Sequence, residues 1–384
     1  MKILFLINNL GGGGAERVVQ SLANYMVERE GHEVIVVTLQ SRQIVYKLDP
    51  RLKQRTFKTG VLNHGPGKIL SLPLQGCELA YLLRQEKPDA AISLLVRANL
   101  VHVISRWFGN RQPIVLSERN RSDHQYRSTG LRGRTMRRLI RWLYPKADAI
   151  VAISEGVKKS LESLGVPPKL VKVIYNPQHL NYIEECASES ISLELNGRGP
   201  ILVTIGRLID QKDHVTLLEA FAQVHEKTDV RLIIIGEGPK RQELEQIARD
   251  LAVSQRVCFA GWQSNPFALM KQSNVFVLSS RFEGFGNVIV EAMACGLPVV
   301  STDCPSGPRE ILKEGEAGIL VPVGDRNALA QAIITLLTDS NALNRYKKAS
   351  AERAADFDVS VIASQYLELL YRGLRKEIAS QVWC

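Results

Sequence analysis

Two acidic residues in one segment give the clearest chemical signal in this sequence. Glu283 follows a short apolar run on a Gly-containing loop, and Glu291 falls about one turn into the helical pattern that comes next. Carboxylate oxygens accept hydrogen bonds from paired hydroxyls, so both residues suit a sugar or a ribose. The backbone N–H groups of residues 284–287 would hold an anion at the start of that helix. In the simpler interpretation, Glu291 only complements the helix dipole and Glu283 is a loop acid.

A pair of cations, Arg207 and Lys212, follows the apolar run Ile201–Ile205. Arg can bind a diphosphate through two parallel hydrogen bonds, while Lys acts as a point charge. By itself this spacing is equally typical of a solvated charged loop. The pair therefore predicts a phosphate site only in combination with the other motifs.

A glycine cluster, Gly11–Gly14, follows the first apolar run and opens the first helical pattern. Glycines allow the backbone to approach a phosphate or a sugar closely. A nicotinamide-binding fingerprint is excluded, because its last glycine would fall at Glu16 or Arg17, and the second apolar run ends at Gln40 without an acidic residue. The remaining alternative is a turn that only lets helix and strand pack.

The elements that must position these residues alternate regularly along the chain. Short β-branched apolar runs are separated by segments with helical spacing, which is typical of βαβ units and parallel sheets. The pattern pauses in the polar, turn-rich stretch from 178 to 200. We therefore predict two doubly wound α/β domains, 1–178 and 200–358, joined by a linker at 179–199. Ligands of such sheets bind at the carboxyl ends of the strands.

The positive charge of the sequence is concentrated in one region. The formal net charge is +10, and residues 97–146 contain twelve Lys and Arg against Glu118 and Asp123. Within that region, residues 132–144 are typical of a basic amphipathic helix with aromatic residues at its end. Such helices favour anionic lipid surfaces, and a solvated basic face is the alternative.

Several other classes of site are disfavoured. The six cysteines form no C-x-x-C pair, which indicates reduced thiols in a cytosolic protein. No apolar stretch has the length of a membrane span, so we expect a protein that is soluble or attached to a membrane surface. Asp356 and Asp358 form an apparent D-x-D motif, but Asp358 precedes the helical pattern 359–370 and is better interpreted as an N-cap than as a metal ligand.

The motifs as a set resemble a known family. The E-x7-E pair Glu283 and Glu291 continues through Gly296-Leu297-Pro298, and Arg207, Lys212, the loop Gly236–Pro239 and Val257–Gly261 precede it in order. The chain resembles the retaining family 4 glycosyltransferases of GT-B fold, in particular bacterial enzymes that extend polyprenyl-pyrophosphate-linked saccharides. The resemblance implies two facing Rossmann-like domains with a cleft between them. It also implies that residues 359–384 form a helix that crosses back to the first domain.

The resemblance also implies roles for individual residues. Arg207 and Lys212 would bind the donor diphosphate, Glu283 the hydroxyls of the transferred sugar, and Glu291 the ribose; Glu283, Arg207 and Lys212 form the expected catalytic set. The other expected donor contacts are glycines and the segment before Glu291: Gly13, Gly14, Gly236, Gly238, Gly284, Phe285, Gly286 and Asn287. The enzymes of this family need no metal or cofactor, because cations and helix dipoles neutralise the leaving diphosphate.

The first domain departs from the family pattern. Many members carry a His after a middle strand, where this chain has Glu118 and Arg119, and the candidates for a related role are these two residues, His102 and His124. The residues expected to contact the acceptor or the membrane are basic apart from Glu118: Glu118, Arg119, Arg134, Arg137, Arg138 and Arg141. The expected partners are a nucleotide sugar, a lipid-linked saccharide and an anionic membrane surface, on the inner face of the cytoplasmic membrane.

The donor and the class of protein leave alternatives open. The segment Glu283–Asn287 resembles the branch that uses UDP-N-acetylhexosamines, which favours UDP-GalNAc. A glycosyltransferase with a soluble acceptor, a GT-B phosphorylase, an epimerase and a sugar-nucleotide sensor are other interpretations. A basic nucleic-acid-binding protein is the rival from another class, since the charge permits it. That rival lacks a recognisable RNA- or DNA-binding motif and does not explain the E-x7-E pair.

Overall fold

The computed structural model describes residues 1–384 except 44, 46, 63–70, 127–129, 190–197 and 382–384. The chain forms two compact units. The first consists of Met1–Pro177 together with Val359–Cys384, and the second of Gln178–Asp358. Each unit is a parallel sheet with helices, so the predicted α/β class with two doubly wound units is confirmed.

The described residues of the first unit form a parallel sheet of seven strands in the order β3-β2-β1-β4-β5-β6-β7. Its strands are β1 (Lys2–Ile7), β2 (Glu33–Thr38), β3 (Lys53–Thr56), β4 (Ala90–Leu94), β5 (Ile114–Glu118), β6 (Ala149–Ala152) and β7 (Val171–Val173). Leu4 of β1 pairs with Ile35 on one side and with Ala91 on the other. The strand order reverses between β1 and β4, which makes their carboxyl ends the expected ligand position of this sheet.

Helices cover the sheet and account for the apolar runs in its strands, since a parallel strand is buried on both faces. They are α1 (Gly14–Glu28), α2 (Leu72–Glu86), α3 (Val96–Ile104), α4 (Ser122–Gln125), α5 (Leu131–Leu143) and α6 (Glu155–Ser163). In α1, Val19, Leu22 and Met26 lie on one helical face and are fully buried. They belong to the main core of the unit together with residues of β1 and β2.

The second unit repeats the arrangement. Within its described residues the parallel order is β10-β9-β8-β11-β12-β13. The strands are β8 (Ile201–Ile205), β9 (Arg231–Ile235), β10 (Val257–Gly261), β11 (Val275–Leu278), β12 (Val299–Thr302) and β13 (Ile319–Val321). The helices are α7 (Leu180–Ala187), α8 (His214–His225), α9 (Arg241–Asp250), α10 (Phe267–Lys271), α11 (Asn287–Ala294), α12 (Pro308–Ile311), α13 (Arg326–Thr338) and α14 (Ser340–Ala354). The order reverses between β8 and β11.

The last helix, α15 (Val359–Gln381), belongs to the first unit. It packs on α1, and Ile362 and Tyr366 are fully buried in the main core of that unit. The stretch 179–199, predicted to be a linker, contains α7. That helix packs on α10 through the edge-on contact of Tyr182 with Phe267, whose ring centroids are 6.4 Å apart. In the part of the chain that the structure describes, no helix has the length and apolarity needed to cross a membrane.

Candidate active site

Lys212 and Glu283 form an ion pair in the second unit. The distance from Lys212 Nζ to Glu283 Oε1 is 2.6 Å, and the two side chains are only 14% and 8% exposed. Ser280 Oγ donates a second hydrogen bond to the same oxygen at 2.7 Å. Among the described residues both donors reach Oε1, and no side chain donates to Oε2 of Glu283.

Two loops at the switch point of the sheet bring these residues together. Lys212 ends a short 3₁₀ turn after β8, whereas Ser280 and Glu283 follow β11, the neighbouring strand. The loops are tied by Ser279 Oγ, which donates to Lys212 O at 2.8 Å, and by the backbone amide of Arg281, which donates to Gln211 O at 2.8 Å. The pair therefore lies at the carboxyl ends of adjacent strands, the usual ligand position of such a sheet.

Arg207 supplies an unpaired cation at the same edge. It follows β8 directly, and its side chain is exposed. Its guanidinium makes no ion pair with any other residue that the structure describes. A guanidinium that is already exposed and unpaired loses no protein contact when it binds a phosphate.

The ends of β8 and β9 approach each other too closely for side chains. A Cβ atom on Gly236 would lie 2.1 Å from Gly206 O, and one on Gly238 would lie 2.4 Å from Leu208 O. Gly236 N in turn donates to Gly261 O, at the end of β10, at 2.8 Å. Three neighbouring strand ends thus form a shelf of bare backbone, which explains glycine at 236 and 238 in physical terms.

The segment 284–287 leads into α11. Gly286 has φ +100°, a conformation that favours glycine, and Phe285 is buried against Phe357 with ring centroids 5.7 Å apart. Glu291 lies on α11 and is 4% exposed. Its predicted contact with a ribose, and those of Gly284, Phe285, Gly286 and Asn287 with the donor, stay predictions.

Three further residues of this site were missed by the sequence analysis. Arg281 is 56% exposed, and its guanidinium pairs through two nitrogens with the buried carboxylate of Asp213, each at 3.1 Å. His214 starts α8 in a buried position, and burial together with the charge of Lys212 lowers its pKa to about 4. His214 is therefore neutral at neutral pH. The only sequence signal for these residues was their adjacency to Lys212 and Ser280.

In the first unit, the glycine cluster surrounds the start of α1. The helix begins at Gly14, and Gly13 is its N-cap. A Cβ atom on Gly13 would lie 2.3 Å from Glu16 Oε2, so the side chain of Glu16 folds back over the helix start. This carboxylate provides negative charge at the N-terminus of α1. The donor contacts predicted for Gly13 and Gly14 stay predictions.

Glu118 ends β5 and is completely buried. Its Oε2 accepts a hydrogen bond from Tyr144 OH at 2.8 Å, and its Oε1 accepts one from the amide of Arg119 at 3.1 Å. Burial raises its pKa to about 7, although the hydrogen bond from Tyr144 opposes the shift. Glu118 is therefore an internal residue of the sheet, and its predicted contact with the acceptor stays a prediction.

Arg119 is also buried, with 5% exposure. Its guanidinium donates to Ser117 Oγ and to Tyr366 OH, both at 3.2 Å, and to the side chain of Asn176. Because Tyr366 lies on α15, Arg119 connects the end of β5 to the terminal helix. His102, the other described candidate for the missing histidine, is buried, and burial lowers its pKa to about 3. The side chain of His124 lies outside the described residues.

The basic helix predicted at 132–144 is confirmed as α5. Arg134, Arg138 and Arg141 are exposed, while Ile140 and Leu143 on the opposite face are buried. The guanidinium of Arg137 is partly buried and donates to Tyr126 O. Three of the five arginines predicted to contact the acceptor or the membrane thus point into solvent, while Arg137 is partly buried and Arg119 is buried.

The two acids of the D-x-D motif lie between α14 and α15. Asp356 accepts a hydrogen bond from Arg353 at 2.6 Å, and α15 begins immediately after Asp358. Across the described ranges, no three His, Cys, Asp or Glu side chains cluster as a metal site would require.

Sequence comparison decides the family. The family described as Glycosyltransferase Family 4 matches residues 12–181, and Glycosyl transferases group 1 matches residues 188–353. This chain is a family 4 glycosyltransferase. The shelf, the ion pair and the free arginine all lie in the second match. The first matched segment lies almost entirely in the first unit, and the second matched segment lies in the second unit.

Two relatives of this glycosyltransferase in Campylobacter jejuni match over nearly their whole length. One is the N-acetylgalactosamine-N,N'-diacetylbacillosaminyl-diphospho-undecaprenol 4-alpha-N-acetylgalactosaminyltransferase, 32% identical over 96% of this chain and 99% of the relative. The other is a GalNAc-alpha-(1->4)-GalNAc-alpha-(1->3)-diNAcBac-PP-undecaprenol alpha-1,4-N-acetyl-D-galactosaminyltransferase, 30% identical over 96% and 98%. A lipopolysaccharide core biosynthesis glycosyltransferase, LpsE of Rhizobium meliloti, is 30% identical over 93% and 96%.

Solved structures show the same fold. The sucrose-phosphate synthase of Thermosynechococcus elongatus has a TM-score of 0.80 at 23% identity and covers 98% of this glycosyltransferase and 100% of its own chain. Anabaena HepE in complex with UDP and glucose has a TM-score of 0.76 at 24% identity, with 97% and 100% covered. The fold is that of the GT-B glycosyltransferases, as the sequence predicted.

Proposed function

We propose that this glycosyltransferase transfers GalNAc from UDP-GalNAc to a saccharide carried on a polyprenyl pyrophosphate. The observation that carries the proposal is the buried pair of Lys212 and Glu283 at the switch point, with the exposed cation of Arg207 on the same edge. Two relatives that match along nearly the whole chain are named as transferring N-acetylgalactosamine to undecaprenol-diphosphate-linked saccharides, which supports this donor and acceptor.

In this proposal the cations bind the diphosphate of the donor. Arg207 binds phosphate oxygens bidentately, and Lys212, held in place by Glu283, adds a fixed charge beside them. Glu283 Oε2 accepts hydrogen bonds from hydroxyls of the transferred sugar, and Glu291 binds the ribose. The shelf at Gly236 and Gly238 lies toward the nucleobase. Fixed cations stabilise the charge that develops on the leaving diphosphate, so no metal ion is required.

The reaction proceeds with retention of the anomeric configuration. The acceptor hydroxyl approaches the face from which the diphosphate leaves, so that the new C1–O bond forms as the C1–O bond to the phosphate breaks. The proton of that hydroxyl passes to an oxygen of the departing phosphate. The protein contributes positioning and electrostatic stabilisation and provides no nucleophile.

The first unit supports the proposed acceptor and location. The exposed arginines of α5, Arg134, Arg138 and Arg141, are suited to the phosphates of a membrane surface or of the acceptor pyrophosphate. We place the enzyme at the inner face of the cytoplasmic membrane as a peripheral protein, with no nucleic-acid partner. Arg137, the fourth arginine of α5 that was predicted to contact the acceptor or the membrane, is less suited, because its guanidinium already donates to Tyr126 O.

Transfer from a panel of labelled nucleotide sugars to polyprenyl-pyrophosphate-linked saccharides, with a metal chelator present, tests the proposal. We expect label in the lipid fraction with UDP-GalNAc, an α-linkage by NMR, and a loss of roughly 100-fold or more in Glu283→Gln. Glu314→Gln, an exposed acid elsewhere in the same unit, is the matched control and should retain full activity.

The other outcomes separate the alternatives. Hydrolysis of one donor without transfer would keep the enzyme class and replace the lipid-linked acceptor by another one. Dependence of the rate on added divalent metal would remove the metal-independent mechanism. No turnover with any donor, together with salt-sensitive binding to duplex DNA, would support the nucleic-acid-binding alternative instead.

A further inference from the structure

Two tryptophan rings are in contact on the surface of the first unit. Trp107, in the 3₁₀ turn Ser105–Phe108, is 51% exposed, and Trp142, near the end of α5, is 56% exposed. Their ring centroids are 5.5 Å apart, with an angle of 49° between the planes. Exposed indole rings that contact each other form an apolar area which water solvates poorly.

Cations surround this pair of rings. Lys146 Nζ lies 4.5 Å from the ring centroid of Trp142 and 5.9 Å from that of Trp107. Arg138 and Arg141 are exposed on α5 within one turn of Trp142. The nearby Asp148 is paired with Arg106 at 2.6 Å, so its charge is compensated.

The same surface continues onto α2. Arg84 donates to the carbonyl oxygen of Phe108, the residue after Trp107. Beside this contact is an open cavity of about 470 Å³ that includes Arg84, Lys87 and Arg111 in its lining. We call Arg84, Lys87, Trp107, Arg138, Trp142 and Lys146 the basic-aromatic surface. It extends the basic face of α5 to residues that the sequence analysis did not select.

We infer that the basic-aromatic surface seats the first unit on an anionic lipid bilayer. The rings of Trp107 and Trp142 enter the boundary between headgroups and acyl chains, where indole rings are favoured, and the cations bind lipid phosphates. A membrane fits better than single-stranded nucleic acid, because the two exposed rings contact each other and Lys146 and so form one apolar patch instead of separate platforms for stacked bases. The inference rests on the proposed function in one respect, that the acceptor is carried by a membrane.

Sedimentation with vesicles tests the surface without donor or acceptor. The vesicles contain phosphatidylglycerol and phosphatidylcholine in equal parts, and pure phosphatidylcholine serves as the neutral comparison. We expect the full-length protein to bind the anionic vesicles, and Trp107→Ala with Trp142→Ala to bind at least ~10-fold more weakly. Trp262→Ala, which removes a 74% exposed indole from the second unit, is the matched control and should bind like the wild type.

Charge and depth are tested separately. Arg138→Glu with Lys146→Glu should weaken binding at low salt by a similar factor, whereas Lys348→Glu in the second unit should not. The depth of insertion is measured by fluorescence. Lipids with brominated acyl chains should quench the tryptophan fluorescence of the wild type more strongly than that of Trp107→Ala with Trp142→Ala. Trp107→Phe with Trp142→Phe keeps an aromatic ring at both positions and should recover most of the binding, which guards against simple misfolding.

Three results would overturn the inference. They are unchanged vesicle binding in the double alanine variant, equal binding of the wild type to neutral and anionic vesicles, and a concentration-dependent dimer that the Trp substitutions abolish. Transfer to an acceptor dissolved in detergent should continue in the Trp variants. Loss of vesicle binding with intact detergent turnover therefore confirms the surface, whereas absence of turnover in the wild type would reject the proposed function and leave the surface standing.

Discussion

Lys212 Nζ and Glu283 Oε1 are 2.6 Å apart although 71 positions separate the two residues in the chain. The contact exists because β8 and β11 are neighbours in the sheet and each contributes one loop at its carboxyl end. Both side chains are largely buried, so the pair is rigid and weakly screened. Each residue holds the other in position. A nucleotide sugar with its diphosphate beside Lys212 and its sugar beside Glu283 would contact both.

Replacing Lys212 should therefore impair both the charge and the geometry of the site. We expect Lys212→Met to lower kcat/KM for the nucleotide sugar by about 100- to 1,000-fold, the usual effect of removing one donor of a preorganised electrostatic site. Steady-state kinetics with saturating acceptor provide the measurement. Lys227→Met removes an exposed lysine of the same unit and is the control. Equal rates in wild type and Lys212→Met would mean that Lys212 has no electrostatic role.

A side chain at position 236 should disrupt the shelf of bare backbone. Gly236 has φ +138°, and an added Cβ atom would lie 2.1 Å from Gly206 O, so the ends of β8 and β9 would have to separate. We expect Gly236→Ala to lower the free energy of unfolding by about 1–3 kcal/mol and to weaken UDP binding. Urea denaturation and calorimetry check the two effects.

The control for this experiment is Gly324→Ala. Gly324 also has a positive φ, +76°, but an added Cβ atom there would meet nothing within 4 Å. The difference between the two variants therefore measures the steric conflict separately from the backbone conformation. If both variants lost stability equally and bound UDP equally, the shelf would have no special role.

The buried carboxyl of Glu118 should make stability depend on pH. Its pKa is raised from 4.5 to about 7 in the folded protein, mainly by burial. The folded state therefore binds this proton more tightly, and the stabilisation it gives is complete below about pH 4.5 and is lost as the pH rises through about 7. We expect Glu118→Gln to become more stable relative to the wild type by about 1–3 kcal/mol between pH 5 and pH 8.

Urea denaturation at several pH values measures this change. Glu155→Gln, on the surface of the same unit, is the comparison variant. A constant difference between Glu118→Gln and the wild type across the range would mean that Glu118 is ionised throughout.

The hydrogen bond from Arg119 to Tyr366 OH should hold the terminal helix on the first unit. Tyr366→Phe removes the hydroxyl at 3.2 Å and leaves a buried guanidinium with one acceptor fewer. We expect a loss of about 1–3 kcal/mol in the free energy of unfolding. Tyr371→Phe, on the same helix but 45% exposed, should be nearly neutral. Equal stabilities of the two variants would contradict the proposed role of this bond.

Local patterns in the sequence were sufficient to predict the architecture. Parallel strands are buried on both faces, so Ile3–Ile7 and Ile201–Ile205 stand out as apolar runs, and the glycines and cations after them mark strand ends. β3 lies outside this pattern, because all four of its residues are exposed at the edge of the sheet. The polar composition of 179–199 likewise gave no sign of α7, a short helix that packs on α10 through the contact of Tyr182 with Phe267.

The sequence by itself determined the fold class, the motif set and the residue types available for chemistry, because strand periodicity, glycine positions and charge are local properties. Only the tertiary structure decided which of these residues meet. The order of strands in a sheet depends on packing between distant segments. That packing brought Glu283 into contact with Lys212 and buried Glu118 beside Tyr144. It also brought Trp107 and Trp142 into contact on the surface. No local pattern contains these pairings, since they arise from the free energy of packing the whole unit.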